Sequence, residues 1–254
     1  MVSIHDYLKT LFPNNFEIII IPNGTRGKGD QTDEIAGAVK DRFSEVKIVP
    51  HKSPKGKGAA LRTGFRQSRG EWVFFMDADL PYDLSFFTEA ARLLTDGFDF
   101  VTGNRRIPQS RFDIPVPLLH LAYRRHCIGL IFNRAARWLF SVPTTDTQAG
   151  VKAMSRRMAE VAFSRQTCPG FFFDLEFFLC CAGFNFRVTE IPVKFSLNSE
   201  KSTVQLIRES LLAGIWLTKI FWRKKRGWYA VPTMTFASQK KLTRHGASVT
   251  EKTE

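Results

Sequence analysis

Four cysteines in 254 residues are too few and too irregularly placed to build a metal cluster or a disulfide framework. Cys127, Cys168, Cys180 and Cys181 show neither ligand spacing nor a ladder of pairs, so they read as reduced core thiols, which fits a cytosolic setting. No uncharged apolar run reaches about 20 residues, so no spanning helix is predicted. The chain does not open with a basic region followed by an apolar one, and no secretory signal is read. It has no internal repeat. The Gly- and Lys-rich stretch 55–58 is not a P-loop, because the spacing and the Lys-Ser/Thr ending are missing. Acidic residues are also short: 24 Asp and Glu stand against 37 Lys and Arg, a formal charge of +13. That surplus points to an anionic partner, whether nucleic acid, an anionic membrane surface or a phosphorylated substrate. No recognised nucleic-acid-binding motif is present, so no nucleic acid is expected.

Apolar residues, by contrast, are ample for a core at 44%, with 24 Phe among them. The most informative stretch is 71–79, an apolar run bounded by Gly70 and by Leu80-Pro81 that ends in Asp77-Ala78-Asp79. A run of that kind predicts a strand covered on both faces, as in a parallel sheet. Alternation along a strand would aim Asp77 and Asp79 the same way. Two such carboxylates repel each other, and a hard divalent cation would relieve the repulsion. A plain turn, with one Asp capping the next helix, is the other reading of the triplet.

The order of patterns predicts an α/β chain: helix 3–11, strand 16–21, polar loop 22–30, helix 32–42 and strand 46–49. A Gly/Lys loop at 51–58 then opens a helix through Phe65, where backbone amides favour phosphate. Beyond the strand at 71–79 come helix 84–94, strand 99–103 and a Pro-rich loop at 108–117. A basic, apolar helix at 118–140 and a helix at 155–163 follow. Residues 187–195 form a strand that Pro192 marks as an edge. Alternating strands and helices predict a mostly parallel sheet with right-handed crossovers. Residues 204–222 are amphipathic and run into Arg223-Lys224-Lys225-Arg226; residues beyond 231 read as a polar, disordered tail.

This ordered set resembles family 2 of the GT-A glycosyltransferases, in the dolichyl-phosphate mannose/glucose synthase branch, over roughly 16–222. The pieces are Ile-Ile-Ile-Ile-Pro-Asn-Gly-Thr at 18–25, Gly-Lys-Gly-Ala-Ala-Leu-Arg-Thr-Gly-Phe at 56–65 and the Asp77-Ala78-Asp79 triplet. Gly103-Asn104-Arg105, Phe132-Asn133, Asp146-Thr147-Gln148-Ala149-Gly150-Val151-Lys152 and Glu190-Ile191-Pro192-Val193 continue the series. The resemblance implies a GT-A, Rossmann-like sheet flanked by helices over 1–203. A basic amphipathic helix at 204–230 would either hold the enzyme to anionic lipid or pack on the domain, and 231–254 would be the tail.

It further implies inverting transfer of a hexose from a UDP- or GDP-linked sugar to a polyprenyl phosphate, on the cytoplasmic face of the membrane. Asp77 and Asp79 would hold Mg²⁺ or Mn²⁺ on the donor diphosphate, with Asn23 and Lys57 beside the nucleotide. Arg105 and one of Arg124 or Arg125 would grip the acceptor phosphate, since the arginine fork binds phosphate oxygens in pairs. Asp146 corresponds to the family's base, or else orients an acceptor that is already anionic. Glu176 is read both as a site residue and as a buried structural carboxylate. The strand with which family members begin has no counterpart here, so a neighbouring strand is expected to lack a partner. Pro22-Asn23-Gly24 stands where an acidic pair is usual, and Pro81 where a Gln ligand is. These departures motivate an alternative, a non-catalytic binding protein of the same fold.

Overall fold

The computed structural model describes residues 2–22, 31–50, 56–197 and 206–231. In chain order the elements are α1 (Val2–Leu11), β1 (Ile18–Ile20), α2 (Thr32–Arg42), β2 (Val46–Ile48), α3 (Lys57–Phe65), β3 (Trp72–Met76), α4 (Ser85–Thr95) and β4 (Phe100–Asn104). They continue with β5 (Arg111–Asp113), α5 (Leu119–Phe140), β6 (Val151–Ser155), α6 (Arg156–Arg165), α7 (Phe173–Phe184), β7 (Val188–Pro192), β8 (Lys194–Ser196) and α8 (Leu206–Lys225).

Side chains alternate across a strand, and here each face meets its own apolar cluster. Val73 and Phe75 of β3, Phe100 of β4 and Met154 of β6 enter a core with α6, α7 and α8. Trp72, Phe74 and Met76 of β3, Val101 of β4, and Val151 and Ala153 of β6 face the other way, toward Phe86, Ala90 and Leu93 of α4. The sheet order is β3-β6-β4-β7, with β6 antiparallel to both neighbours and β7 parallel to β4. Pro192 thus ends an edge strand, as its lack of an N–H requires. The antiparallel β6 and the short β5, which pairs with β8 inside the Pro-rich stretch, are additions to the expected parallel order. In α7, nine consecutive residues from Phe173 to Cys181 are buried, so its phenylalanines are core on all sides.

β1 and β2 form a separate parallel pair. α1 contributes Ile4 and Leu8 to a layer that packs both Ile18 of β1 and Phe74 and Met76 of β3. On α3, a Cβ at Gly64 would lie 2.3 Å from Ile21, while Leu61 and Phe65 join the core that holds Phe75. The same helices therefore bridge β1 and β3, yet no backbone ladder joins these strands among the described residues. Among the described residues each has one hydrogen-bonded neighbour, β2 for β1 and β6 for β3.

The amphipathic helix expected at 204–230 is α8, but much of its apolar face is spent on the core. Leu212, Trp216, Leu217 and Phe221 pack there, and Ile220 is fully buried. Lys224 Nζ donates to Phe140 O at 2.9 Å, tying the end of α8 to α5. Ile215 and Trp222 remain exposed. No described helix is long and apolar enough to cross a membrane. Apart from Val231, the tail lies outside the described residues.

Candidate active site

At the end of β3 the chain turns at once: Leu80 N donates to Asp77 O at 3.0 Å, and Leu80 adopts a left-handed φ of 47°. Strand alternation therefore stops at Met76 and does not govern how Asp77 and Asp79 point. Asp79 is exposed on this turn. Asp77 leans over Gly150 so closely that a Cβ there would sit 2.0 Å from Oδ2. Its Oδ1 lies 2.5 Å from Lys57 Nζ, at the start of α3. The glycine is thus a requirement of close approach, since any side chain would push the carboxylate away.

The α3 amides do not match the phosphate-cradle expectation. Gly58 N donates to Gly170 O at 3.2 Å and Ala59 N to Pro169 O at 3.0 Å. A Cβ on Gly58 would stand 2.7 Å from Cys168 O, and Gly56 has φ +96° against Pro169. These glycines let α3 dock on the 166–170 loop, and that loop takes two of the orphan donors of the helix start.

Behind Asp77 lies a second ion pair. Lys152, fully buried on β6, stands 2.9 Å from Asp174 Oδ1 at the start of α7 and donates to Ala149 O at 2.5 Å. Burial lowers the Lys152 pKa against the opposing pull of Asp174, and burial raises that of Asp174 against the charges of Lys152 and Lys57. Tyr82, also buried, accepts from Gly150 N at 2.8 Å, and burial pushes its hydroxyl up to about 12. It therefore stays a neutral phenol.

Arg105 and Asp146, assigned separate roles in the sequence, bind each other. Arg105 Nε donates to Oδ2 at 2.7 Å, Nη2 to Oδ1 at 2.9 Å and the backbone N–H to Oδ2 at 3.1 Å. Asp146 is fully buried. Burial alone would raise its pKa, but the Arg105 charge and hydrogen bonds outweigh that and bring it down to about 2. Asn133 of α5 holds the same loop by accepting from Thr147 N and Oγ1, both at 2.8 Å. Asn104 donates to Glu190 at 3.0 Å and to Thr145 at 2.9 Å and accepts from Arg106 N at 2.7 Å.

The fold thus gathers Lys57, Asp77, Asp79, Arg105 and Asp146 near the carboxyl ends of β3 and β4. Arg124 is exposed on α5, and no contact joins it to Arg105 or Asp146 among the described residues. Arg125 belongs to the same helix; Asn23 lies outside the described residues. Glu176 is structural: its carboxylate accepts from Thr167 N, Thr167 Oγ1, Cys168 N and the Tyr229 hydroxyl. Sequence reasoning missed Tyr82, Lys152 and Asp174. The signal for Lys152 was alternation, which puts it on the same face of β6 as the core residue Met154. Two surface grooves among the described residues are lined by Lys40, Lys47, Arg66 and Arg69, and by Lys219, Trp222, Arg223 and Arg226, and neither is lined by Asp77, Asp79 or Asp146.

The family model described as Glycosyl transferase family 2 matches residues 3–160. The chain is 26% identical over 209 residues to the glycosyltransferase AglD of Haloferax volcanii, covering 82% of this chain and 32% of that protein. It is 24% identical over 223 residues to a dolichyl-phosphate beta-glucosyltransferase of Dictyostelium discoideum, covering 81% and 66%. The chain spans between about a third and two thirds of the length of the curated relatives it matches. Among solved structures, glucosyl-3-phosphoglycerate synthase of Mycobacterium tuberculosis with Mn2+, uridine-diphosphate and phosphoglyceric acid aligns with TM-score 0.50 at 15% identity. That alignment covers 86% of this chain and 69% of that one, and it carries the fold alone. With the family model covering more than half of its residues, the chain belongs to glycosyl transferase family 2.

Proposed function

We propose that this chain transfers a hexose from a nucleoside-diphosphate sugar to a polyprenyl-type phosphate, with inversion at the anomeric carbon. The single observation that carries the reading is the Asp77 carboxylate, seated on Gly150 and against Lys57, with Asp79 exposed on the same turn. Membership of the family and the dolichyl-phosphate glucosyltransferases among its relatives support the choice of substrates.

The two carboxylates fit Mg²⁺ or Mn²⁺, being hard oxygen donors at a site where Asp77 already faces a cationic ammonium. No cluster of three His, Cys, Asp or Glu forms among the described residues, so most ligands would come from phosphate oxygens and water. Such an ion, when bound, supplies Lewis-acid neutralisation of the departing diphosphate. Lys57 adds a second positive charge on the same side. A phosphate acceptor is anionic at neutral pH and attacks the anomeric carbon as that carbon's bond to the diphosphate oxygen breaks. The nucleoside diphosphate leaves with the electron pair. Asp146, ionised and gripped by Arg105, serves as an orienting group rather than a proton acceptor. It aims Arg105, and with it Arg106, at the acceptor; Arg124 and Arg125 remain candidates only for contacts along α5. We read Asn23 as a donor contact from the family pattern.

The protein is read as one catalytic domain with α8 docked on it, working as a peripheral enzyme on the inner membrane face. UDP- and GDP-sugar hydrolysis and transfer, measured with Mn²⁺ and after its chelation, test the reading. Asp77→Asn or Asp79→Asn should abolish metal-dependent turnover. Either variant keeping that turnover would overturn it. The non-catalytic alternative draws on one observation, the α3 amides already taken by Pro169 and Gly170 carbonyls; metal-dependent turnover by the unaltered chain would exclude it.

A further inference from the structure

The first half of α5 stands off the body of the protein. From Leu119 to Leu130 no residue with a described side chain is buried, whereas Phe132, Asn133, Ala136 and Phe140 are. Along the helix Leu119 is 50% exposed, Tyr123 69%, Leu130 46%, Ile131 72% and Trp138 82%. At about 100° per residue these five fall within an arc of roughly 120°, on the side away from the buried set. Val116, in the turn that leads into the helix, is 79% exposed. Isolated exposed apolar residues are ordinary, but a continuous stripe of large ones on one helix face marks an interaction surface.

Charge selects the partner. Residues 114–140 contain no Asp or Glu, while Arg124, Arg125, Arg134 and Arg137 lie on the helix with His120 and His126. By the same helical geometry Arg134 falls inside the apolar arc and Arg124 and Arg137 fall near its two margins. A second copy of the chain docked here would set arginine against arginine with no carboxylate between them. A nucleic acid would answer the arginines but leave Leu119, Leu130 and Ile131 in water. A lipid surface answers both demands. It takes aliphatic residues into the acyl boundary, Tyr and Trp at headgroup level and arginines against anionic headgroups.

We infer that the exposed face of α5 docks on an anionic lipid bilayer, making α5 the principal membrane contact and α8, whose apolar face is largely in the core, a minor one. The inference deepens the proposed reading of a lipid-phosphate acceptor. Arg106 Nη2 lies 3.2 Å from the Cβ position of Gly129, so α5 runs from the lipid surface directly to the residues beside the Arg105–Asp146 pair.

The test is sedimentation of the full chain with phosphatidylcholine vesicles, and with vesicles that also contain phosphatidylglycerol. Neither set carries sugar donor or polyprenyl phosphate, so the result does not depend on catalysis. The chain should sediment with the anionic vesicles and not the neutral ones. The triple variant Tyr123→Ser, Ile131→Ser, Trp138→Ser should partition about tenfold more weakly or worse, while Trp222→Ser on α8 partitions like the unaltered chain. Melting temperature and UDP-sugar hydrolysis should be unchanged in the triple variant, which excludes misfolding. The inference is overturned if the unaltered chain ignores anionic vesicles or if the triple variant binds them equally well. A dimer in analytical ultracentrifugation that the triple variant dissolves would overturn it too, assigning the face to a second copy. Vesicle binding without sugar turnover would instead defeat the transferase reading and leave this one standing.

Discussion

Arg105 grips Asp146 from two sides, through its guanidinium fork and through its own backbone N–H. The contact spans 41 positions of sequence and welds the end of β4 to the loop before β6. Asp146 is fully buried and Arg105 partly so, and such a pair is most sensitive to loss of the arginine, which strands the buried carboxylate. Arg105→Ala should therefore destabilise the protein by on the order of 3 kcal/mol. Arg105→Ala combined with Asp146→Ala should cost less than the sum of the two single changes. Urea unfolding of the three variants measures this cycle; strict additivity would show that the pair is not coupled.

The pH dependence follows from the same carboxylate. Its pKa falls from an ordinary 3.8 to about 2 in the folded protein, so the unfolded state binds its proton first as pH drops. The stabilisation is complete above pH 4, is lost as pH falls toward 2, and amounts to about 2 kcal/mol. Unfolding free energies measured between pH 5 and pH 2 should show this loss, and Asp146→Asn should remove that component. Because Asp146 is ionised throughout the neutral range, it should add no step to the rate profile. With a phosphate acceptor the rate should instead rise with a midpoint near pH 6, where the monoester loses its second proton.

Gly150 is the cleanest probe of the carboxylate turn. A methyl group there would overlap Asp77 Oδ2, so Gly150→Ala must swing Asp77 off its seat. Misplacing a catalytic group by about 1 Å costs on the order of a hundredfold in rate. Metal-dependent turnover should fall by about that factor while the melting temperature changes little, as the clash is with the mobile end of a side chain. Steady-state kinetics beside calorimetry would show whether the two effects separate in this way.

Tyr229, past the end of α8, donates to Glu176 Oε1 at 2.6 Å. Tyr229→Phe removes one of several bonds to a fully buried carboxylate and should cost about 2 kcal/mol. Glu176→Gln should cost more, because the Thr167 and Cys168 amides then share a weaker acceptor. Thermal unfolding of both variants checks the order.

What could be read from the sequence was whatever depends on local pattern. β3 was legible because a strand buried on both faces is an unbroken apolar run, and α5 because its first and last turns keep helical spacing between marked boundaries. The Asp77 turn was legible as chemistry though not as geometry: its left-handed Leu80 carries no glycine to announce the bend. α7 hid its helical nature because it is buried all round, so no amphipathic period remains to be seen. The pairing of Arg105 with Asp146 and of Lys152 with Asp174 depends on which loops the sheet order brings together. Strand β6, inserted antiparallel between β3 and β4, decides that. The sequence left open whether the apolar face of α8 meets lipid or the domain, because amphipathicity shows an apolar face without saying whether the fold has already covered it.

The lack of a ladder between β1 and β3 among the described residues bears on how this molecule breathes. The β1–β2 ribbon is held to the rest by side-chain packing from α1 and α3 and by contacts such as Arg69 N donating to Glu17 Oε1, with no ladder joining β1 to β3 among the described residues. A unit attached in that way detaches without disturbing the four-stranded sheet. Deuterium should therefore enter the amides of 18–20 and 46–48 well before those of β4 and β6, at an opening cost below that of global unfolding. The corner bearing Lys57 would then loosen first, leaving the Arg105–Asp146 weld closed.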